Sequence, residues 1–408
     1  LQGEARTDVA VIGAGILGLS TALALAEAGV AVTVLEAATV GEGASGRNGG
    51  LVVPSMPRIG PADVLAAYGE ARGARFLEML ATGGDALFGL IRAKNMSCDA
   101  VQSGWLNPAH AASLVPRVQA RTEAWHAAGA RVAWLDAPAT RARLGSDGFH
   151  GALFDPSGGH LDPLAYTRGL ARAAVAAGAH LHEHSPVIGG RPLRDGWVLD
   201  TPTGSLTASR VLQCTNATPP GIAGPPGAAL TQASVPLLVY QMATQIISPG
   251  MRAAVLPGNE AFSDTRNNLL ACRWTASGRL VTGGMAAIHA GAMTRLPARL
   301  AVRLERIFPA LGPVRFEHVW RGRAALTGDF LPRLIEAEKH WFAVTACNGR
   351  GLVLNTMLGP RLAAFLRSRD ASALPLPVTP PRPIRARPLA RLLPQVLLPL
   401  GDWQDSRA

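Results

Sequence analysis

Aromatic residues make up only 5% of this 408-residue chain, and lysine is nearly missing, with Lys94 and Lys339 the only two. So few aromatics argue against a stacking platform for nucleic-acid bases. The other members of the 39 basic residues are arginines, scattered without a run of five or more. The formal net charge of +11 therefore forms no stripe or tail of the kind that marks a nucleic-acid partner, and none is expected. Weak attraction to anionic substrates or surfaces remains compatible with it. Cys98, Cys214, Cys272 and Cys347 lie far apart and no pair has CxxC spacing, which argues against zinc and dithiol chemistry. No metal is expected, and isolated thiols fit a reducing, cytoplasmic setting. The most apolar stretch, residues 9–35, is broken by turn-spaced glycines and by Glu27 and has no basic lead-in. It is read neither as a signal peptide nor as a membrane span. The chain opens on Leu1 rather than Met, which is compatible with residues removed ahead of it. No Ser-His-Asp pattern, paired-carboxylate signature or internal repeat is visible.

What is present points to a nucleotide. With 48% hydrophobic and 16% charged residues, a chain this long is expected to form two domains or lobes. Val9–Ile12 reads as a buried strand, and Gly13-Ala14-Gly15-Ile16-Leu17-Gly18 as a turn into a helix over about residues 16–28. Val30–Leu35 reads as a second strand that closes on Glu36. Gly13 makes the tight turn, Gly15 leaves room for a pyrophosphate, and Gly18 lets the helix lie close to the sheet. Amides at the helix start, those of Ile16 and Leu17 included, face the phosphates with the positive end of the dipole. Glu36, followed by Ala37, stands where a ribose-binding carboxylate belongs. The glycine spacing alone is weak; strand, turn, helix, strand and acidic end together make a dinucleotide-binding unit.

Gly41–Gly50 follows as a glycine-rich loop able to bring backbone close to a ligand. Helices are expected over 63–94, 111–129 and 163–177, the last two closed by Gly129 and Gly178. Strands follow at 180–183, 196–201, 205–208 and 210–213, and the last ends in the small residues Thr215, Asn216 and Ala217. Residues 218–236, rich in Pro and Gly, read as a linker. Strands then dominate 236–321: residues 237–247, 268–274 and 280–282, the last two joined by a Ser277-Gly278 turn, with one helix at about 298–308. A final strand at 341–345, a loop and a helix to about Phe365 complete the pattern. The tail from Ala373 carries repeated Pro and Arg and is expected to be extended, then briefly helical near 389–398. Its prolines speak against a clean amphipathic helix.

The front unit gives way to Gly41–Gly50 rather than to further βα units, and a second nucleotide-type element returns near the end of the chain. That split layout favours FAD over NAD. Four stretches carry a more specific resemblance: Gly13–Glu36; Gly43-Ala44-Ser45-Gly46-Arg47-Asn48-Gly49-Gly50; Asp155 to Pro163 with Val187 and Thr215-Asn216-Ala217; and Trp320 to Arg323 through Thr327-Gly328-Asp329-Phe330-Leu331-Pro332 to Asn348-Gly349-Arg350-Gly351-Leu352. In these the chain resembles the D-amino-acid oxidase-like FAD oxidoreductases, which include glycine oxidase, sarcosine oxidase and γ-glutamylputrescine oxidase. The second stretch is similar to the last of these subgroups.

The resemblance implies an α/β fold, a Rossmann-like FAD-binding domain with a discontinuous α+β substrate domain built on a mainly antiparallel sheet. Residues 1–85, 140–217 and 322–372 are assigned to the first, 86–139 and 218–321 to the second, and 373–408 to a Pro/Arg-rich tail. It further implies that Gly13, Gly15, Ile16, Leu17 and Gly18 hold pyrophosphate and that Glu36 and Ala37 hold the adenosine ribose. Gly43, Ala44, Ser45, Arg47, Asn48, Gly49, Gly50 and Leu51 line the flavin, Val187 meets the adenine end, and Thr215, Asn216 and Ala217 approach the cofactor. Asn348, Gly349, Arg350, Gly351 and Leu352 sit at the flavin N1/C2=O edge, where helix amides and the Arg350 guanidinium would stabilise negative charge. The competing reading of Arg350 is a surface arginine opposing the helix dipole. FAD is expected to be non-covalent, since residues 321–326 lack the flavin-linking Cys of some relatives and Gly43–Gly50 lacks their His. Cys347 is assigned to packing. Arg321 or Arg323 is a candidate carboxylate clamp, with structural charge as the alternative. Tyr240 and His289 are candidate pocket residues, with core or surface roles as the alternative.

The implied reaction is oxidation of a C–N bond in an amine or amino acid. The free-base amine loses hydride from its α-carbon to flavin N5, the imine hydrolyses, and O2 is reduced to H2O2. The alternative is a dehydrogenase passing electrons to quinone or a partner subunit, with the tail at Leu389–Leu400 docking on a membrane or that partner. A flavin-binding tRNA-modification component is a third reading, without a visible RNA-binding module.

Overall fold

The computed structural model describes all residues except 217–220, 346, 391, 406 and 408 and the side chain of Pro225. Ala217, expected near the cofactor, thus lies outside the described residues. The strand Gly3–Ile12 organises a nine-stranded sheet. It pairs in parallel with Gly204–Gln213 along its whole length and with Val32–Leu35 over its last four residues. His180–His182 extends one side in parallel, and Trp341–Val344 extends the other. The segments expected as two strands at 205–208 and 210–213 are one continuous strand, Gly204–Gln213. Val32–Leu35 is buried at all four positions, as a parallel strand covered on both faces requires.

The helix Ile16–Glu27 packs on this sheet between Pro163–Ala176 and Gly351–Ser368. A Cβ on Gly359 would lie 2.4 Å from the Cβ of Ser20, so the two nucleotide-side helices cross at a position that only glycine fits. The opposite face is filled by Val187, Leu199, Leu206 and an edge-to-face pair, Trp197 and Trp341, with ring centroids 5.0 Å apart.

An eight-stranded second sheet runs in the order Phe316–Leu326, Val235–Thr244, Leu280–Met285, Ala271–Trp274, Ala261–Ser263, Trp105–Pro108, Ala152–Asp155, Ala133–Leu135. Its neighbours are antiparallel except Ala261–Ser263 beside Trp105–Pro108. The boundary expected at 322 falls within the strand Phe316–Leu326, and the one expected at 140 falls in the helix Ala137–Leu144, between the sheet strands Ala133–Leu135 and Ala152–Asp155. The helix Ala292–Ile307 covers one face through Leu296, Leu300, Leu304 and Ile307, an apolar row at helical spacing. The other face turns toward the glycine-rich segment 41–50.

Several local expectations shift. The helical region at 63–94 is three helices, Pro61–Tyr68, Glu70–Ala81 and Gly83–Ala93, the first break falling at Gly69 with φ of 76°. Within the expected linker, Pro225–Ala233 is helical, its prolines occupying first-turn positions where no N–H is needed. The 41–50 loop contains one helical turn, Ala44–Arg47. In the tail, Leu393–Asp405 forms a helix despite Pro399, later and longer than expected. Among the described residues no helix is long and apolar enough to cross a membrane.

Candidate active site

The turn after Gly3–Ile12 is shaped by close approach. A Cβ on Gly18 would stand 2.1 Å from the Gly13 carbonyl oxygen, so the helix Ile16–Glu27 can press down on the turn only with glycine there. A Cβ on Gly15 would stand 2.8 Å from Ser45 Oγ. That hydroxyl instead accepts the Ile16 amide at 3.0 Å. Gly15 offers no side-chain cap, and Leu17 and Gly18 lie in the first turn, where amides have no intrahelical partner. The Glu36 carboxylate lies across the same turn, accepting the Ala14 amide at 2.7 Å and the Ala38 amide at 3.0 Å. Ala37 beside it is exposed. Ser185 donates its amide to the Glu36 carbonyl, which brings the buried Val187 to this end of the sheet. Cys214 donates its amide to the Ile12 carbonyl and leads into Thr215 and Asn216 beside Gly13.

The 43–51 segment continues the line. Asn48 closes the Ala44–Arg47 turn by donating to the carbonyls of Ala44 and Ser45, while its Oδ1 accepts the Gly50 amide at 2.8 Å. Arg47 sends its guanidinium outward to Glu42 and its carbonyl inward to Trp320 Nε1 at 2.9 Å. Arg273, 5% exposed, donates Nε to the Gly49 carbonyl at 2.5 Å. Gly43 starts this segment, and Leu51 continues it into the two-residue strand Leu51–Val52, paired with Gly159–His160.

At the far end, Asn348 and Gly349 both adopt positive φ, 52° and 86°, which sets the start of Gly351–Ser368. Asn348 Oδ1 accepts the Thr327 amide at 2.8 Å and ties the 327–332 loop to this helix end. The Arg350 guanidinium lies 5.1 Å above the Trp105 ring, and its buried Nη1 has no hydrogen-bond partner among the described residues. Burial, with Arg121 adding repulsion, lowers this guanidinium to about 9. Arg121 is itself lowered to about 10 by burial and by Arg117, and donates to the Met56 carbonyl at 2.8 Å. Arg350 is thus turned inward rather than lying on the surface. Leu352 beside it is buried, and burial pushes up the Cys347 thiol that packs near Gly351.

Tyr240, Arg321 and Arg323 are brought together, but away from that line. Tyr240 stands opposite Arg321, and Leu238 opposite Arg323, so all share one face of the second sheet. This is the face that Ala292–Ile307 covers: Tyr240 is buried in its core with its hydroxyl 3.2 Å from His289 Nδ1, while Arg321 and Arg323 are exposed. The alternating residues face the glycine-rich segment instead. Gln241, opposite Trp320, has its amide 3.2 Å from where a Gly49 Cβ would be and seats against Gly283. Its side chain has no hydrogen bond among the described residues and is only partly exposed. Trp105, Arg273 and Trp320 lie on this side as well. Sequence reading did not single out Gln241, Trp105, Arg121 or Arg273; strand periodicity flags Gln241 only once the face is known.

A glycine cradle at a helix start, a carboxylate across the turn and an inward cation without an anion partner among the described residues together fit FAD. Residues 8–365 match the model of the DAO family, described as FAD dependent oxidoreductase. The chain belongs to this family. It is therefore an FAD-dependent oxidoreductase. Gamma-glutamylputrescine oxidoreductase of Escherichia coli K12 is 32% identical over 369 residues, 90% of this chain and 85% of that protein. Among solved structures, glycine oxidase from Geobacillus kaustophilus superposes with a TM-score of 0.71 at 22% identity, over 91% of this chain and 96% of that one. L-proline dehydrogenase from P. horikoshii gives 0.73 at 20% identity, over 91% and 95%. These two establish the fold of this FAD-dependent oxidoreductase.

Proposed function

We propose that the chain oxidises a C–N bond in an amine or amino acid, with O2 as the acceptor. The similarity to gamma-glutamylputrescine oxidoreductase and to a glycine oxidase supports this substrate class, since both named compounds carry nitrogen on a C–H carbon. The observation that carries the reading is Arg350: an inward cation with an unpartnered Nη1 at a helix start, facing Trp105 across the seam between the sheets. Bound FAD supplies the two-electron acceptor for the hydride leaving the α-carbon. Gly13, Gly15, Gly18 and Glu36 hold its ADP end, and Ser45, Asn48, Gly49 and the 348–352 turn flank its flavin. Arg350 and the amides of 350–352 offset the negative charge that reduction brings. The substrate docks as the neutral amine, so no protein base is needed to start the reaction. Gln241, with a free amide on the face beside Gly49, orients its nitrogen or a carbonyl.

Anaerobic mixing with a panel of D-amino acids, N-methyl amino acids and polyamine derivatives tests this. At least one class is expected to bleach the flavin and to yield peroxide on admission of air. No bleaching by any member would overturn the reading. Bleaching without peroxide would favour a dehydrogenase that hands electrons to quinone or a partner, a reading to which the exposed apolar tail helix lends some support.

A further inference from the structure

The tail helix Leu393–Asp405 has two faces of different character. One docks on the protein: Leu398 and Gly401 are buried, with Gly401 against Asn267. Asp405 accepts the Asn267 amide at 2.8 Å, and Asp402 pairs with Arg299 at 3.0 Å. The opposite face is apolar. Leu393, Val396, Leu397 and Leu400 are 52, 66, 54 and 46% exposed, and Trp403 continues the row beneath Arg407, whose guanidinium is 4.0 Å from its ring. Their spacing of three and four makes a continuous stripe along the helix. A face turned to water would ordinarily be polar, and five large apolar side chains in one strip mark an interaction surface.

Charge selects the occupant. Both carboxylates of the helix point inward and are engaged on the docked face, so the outward face carries no negative charge. Arg382 and Arg385 are exposed just ahead of the stripe, and Arg407 stands exposed at its far end. An apolar stripe flanked by outward arginines, on a chain with net charge +11, is complementary to an anionic lipid headgroup layer over hydrocarbon. We propose that the tail helix seats this enzyme on the surface of an anionic membrane, lying in the interface without crossing it. The Asp402–Arg299 and Asp405–Asn267 contacts fix the tail helix to Ala292–Ile307, which packs on the second sheet, and to the loop before that sheet's strand Ala271–Trp274.

Vesicle sedimentation of the full-length, FAD-loaded enzyme tests this, with phosphatidylcholine alone and with equal parts phosphatidylglycerol. Binding is expected only to the anionic vesicles and to fall as salt rises. Leu397→Asp or Val396→Asp should lower the partition coefficient roughly tenfold or more, and Arg382→Glu with Arg385→Glu by a similar factor. The four positions are solvent-facing, so unchanged flavin absorbance and unchanged thermal unfolding are expected to certify the variants. Equal partition of the wild type to both vesicles, or none to either, would overturn the proposal. So would sedimentation velocity showing a concentration-dependent dimer that Leu397→Asp disperses, because a second copy would then be the occupant.

Discussion

Tyr240 and Gln241 are neighbours on one strand and face opposite sides of the sheet, so their substitutions should separate. Tyr240→Phe removes a hydroxyl whose partner is the exposed His289, at the margin of the helix-covered core. Turnover should stay within about twofold of wild type while stability falls by about 1 kcal/mol, one neutral hydrogen bond. Gln241→Leu removes an amide that stands free beside Gly49. It should raise KM about tenfold or more with flavin content unchanged, as loss of a substrate hydrogen bond worth about 1.4 kcal/mol predicts. Steady-state kinetics on the first bleaching substrate decides between them, and the reverse order would assign the pocket to the other face. Arg350 makes a different prediction. Its cation favours negative charge nearby, so Arg350→Met should move the flavin midpoint potential about 30–60 mV more negative, the two-electron equivalent of about 1.4–2.8 kcal/mol. Redox titration reads this without substrate, and an unmoved potential would place Arg350 outside the flavin's field. Residue types were legible here where backbone geometry demands them, as at Gly18. Which of two adjacent polar residues meets the cofactor was not, because it depends on which face of the sheet the helix Ala292–Ile307 covers.

At the scale of elements, the joint between the 327–332 loop and the helix Gly351–Ser368 rests on one side chain. Asn348 supplies the acceptor for the buried Thr327 amide and also occupies a positive φ of 52°, a region Asn tolerates better than other non-glycine residues. Asn348→Ala removes the acceptor and strains the backbone. Unfolding free energy should fall by about 2–4 kcal/mol, with FAD dissociating more readily, and chemical denaturation followed by flavin fluorescence measures both. A fall below about 0.5 kcal/mol would show that the loop holds its place by other means. The elements that local signals define were readable: the glycine turn, the helix Pro163–Ala176 with Asp162 accepting the Ala165 amide at 2.8 Å, and the Ser277-Gly278 turn. The elements that were not readable contain proline. Pro225–Ala233 reads as linker, yet first-turn proline costs a helix nothing, while the tail helix, expected near 389–398, forms at Leu393–Asp405 with Pro399 inside it. In the second, docking of Leu398 and Gly401 against the body of the protein holds a helix that propensity alone would not.

Across the whole molecule, Gly159–His160 pairs with Leu51–Val52 beside the second sheet, and His160 there sets a pH limit. His160 is 2% exposed, its Nε2 3.0 Å from the Asn259 carbonyl oxygen, which fits a neutral ring donating that hydrogen bond. Burial, reinforced by Arg273 and Arg252 and opposed by the Asn259 contact, lowers its pKa from 6.5 to about 4. Between those values the unfolded chain binds a proton that the folded chain resists, so stability is complete above pH 6.5 and drains away as pH falls toward 4. The full difference is about 3 kcal/mol from this residue. His110, also lowered to about 4 by burial and Arg266, adds in the same direction. Its 3.8 Å approach to Asp405 is accordingly no ion pair at neutral pH. His160→Gln should cost some stability at every pH while flattening the slope between pH 6.5 and 4. Urea unfolding across that range isolates the slope from the cost. An unchanged slope would mean that His160 is already charged in the folded protein, and the nearby cations Arg273 and Arg252 argue against it.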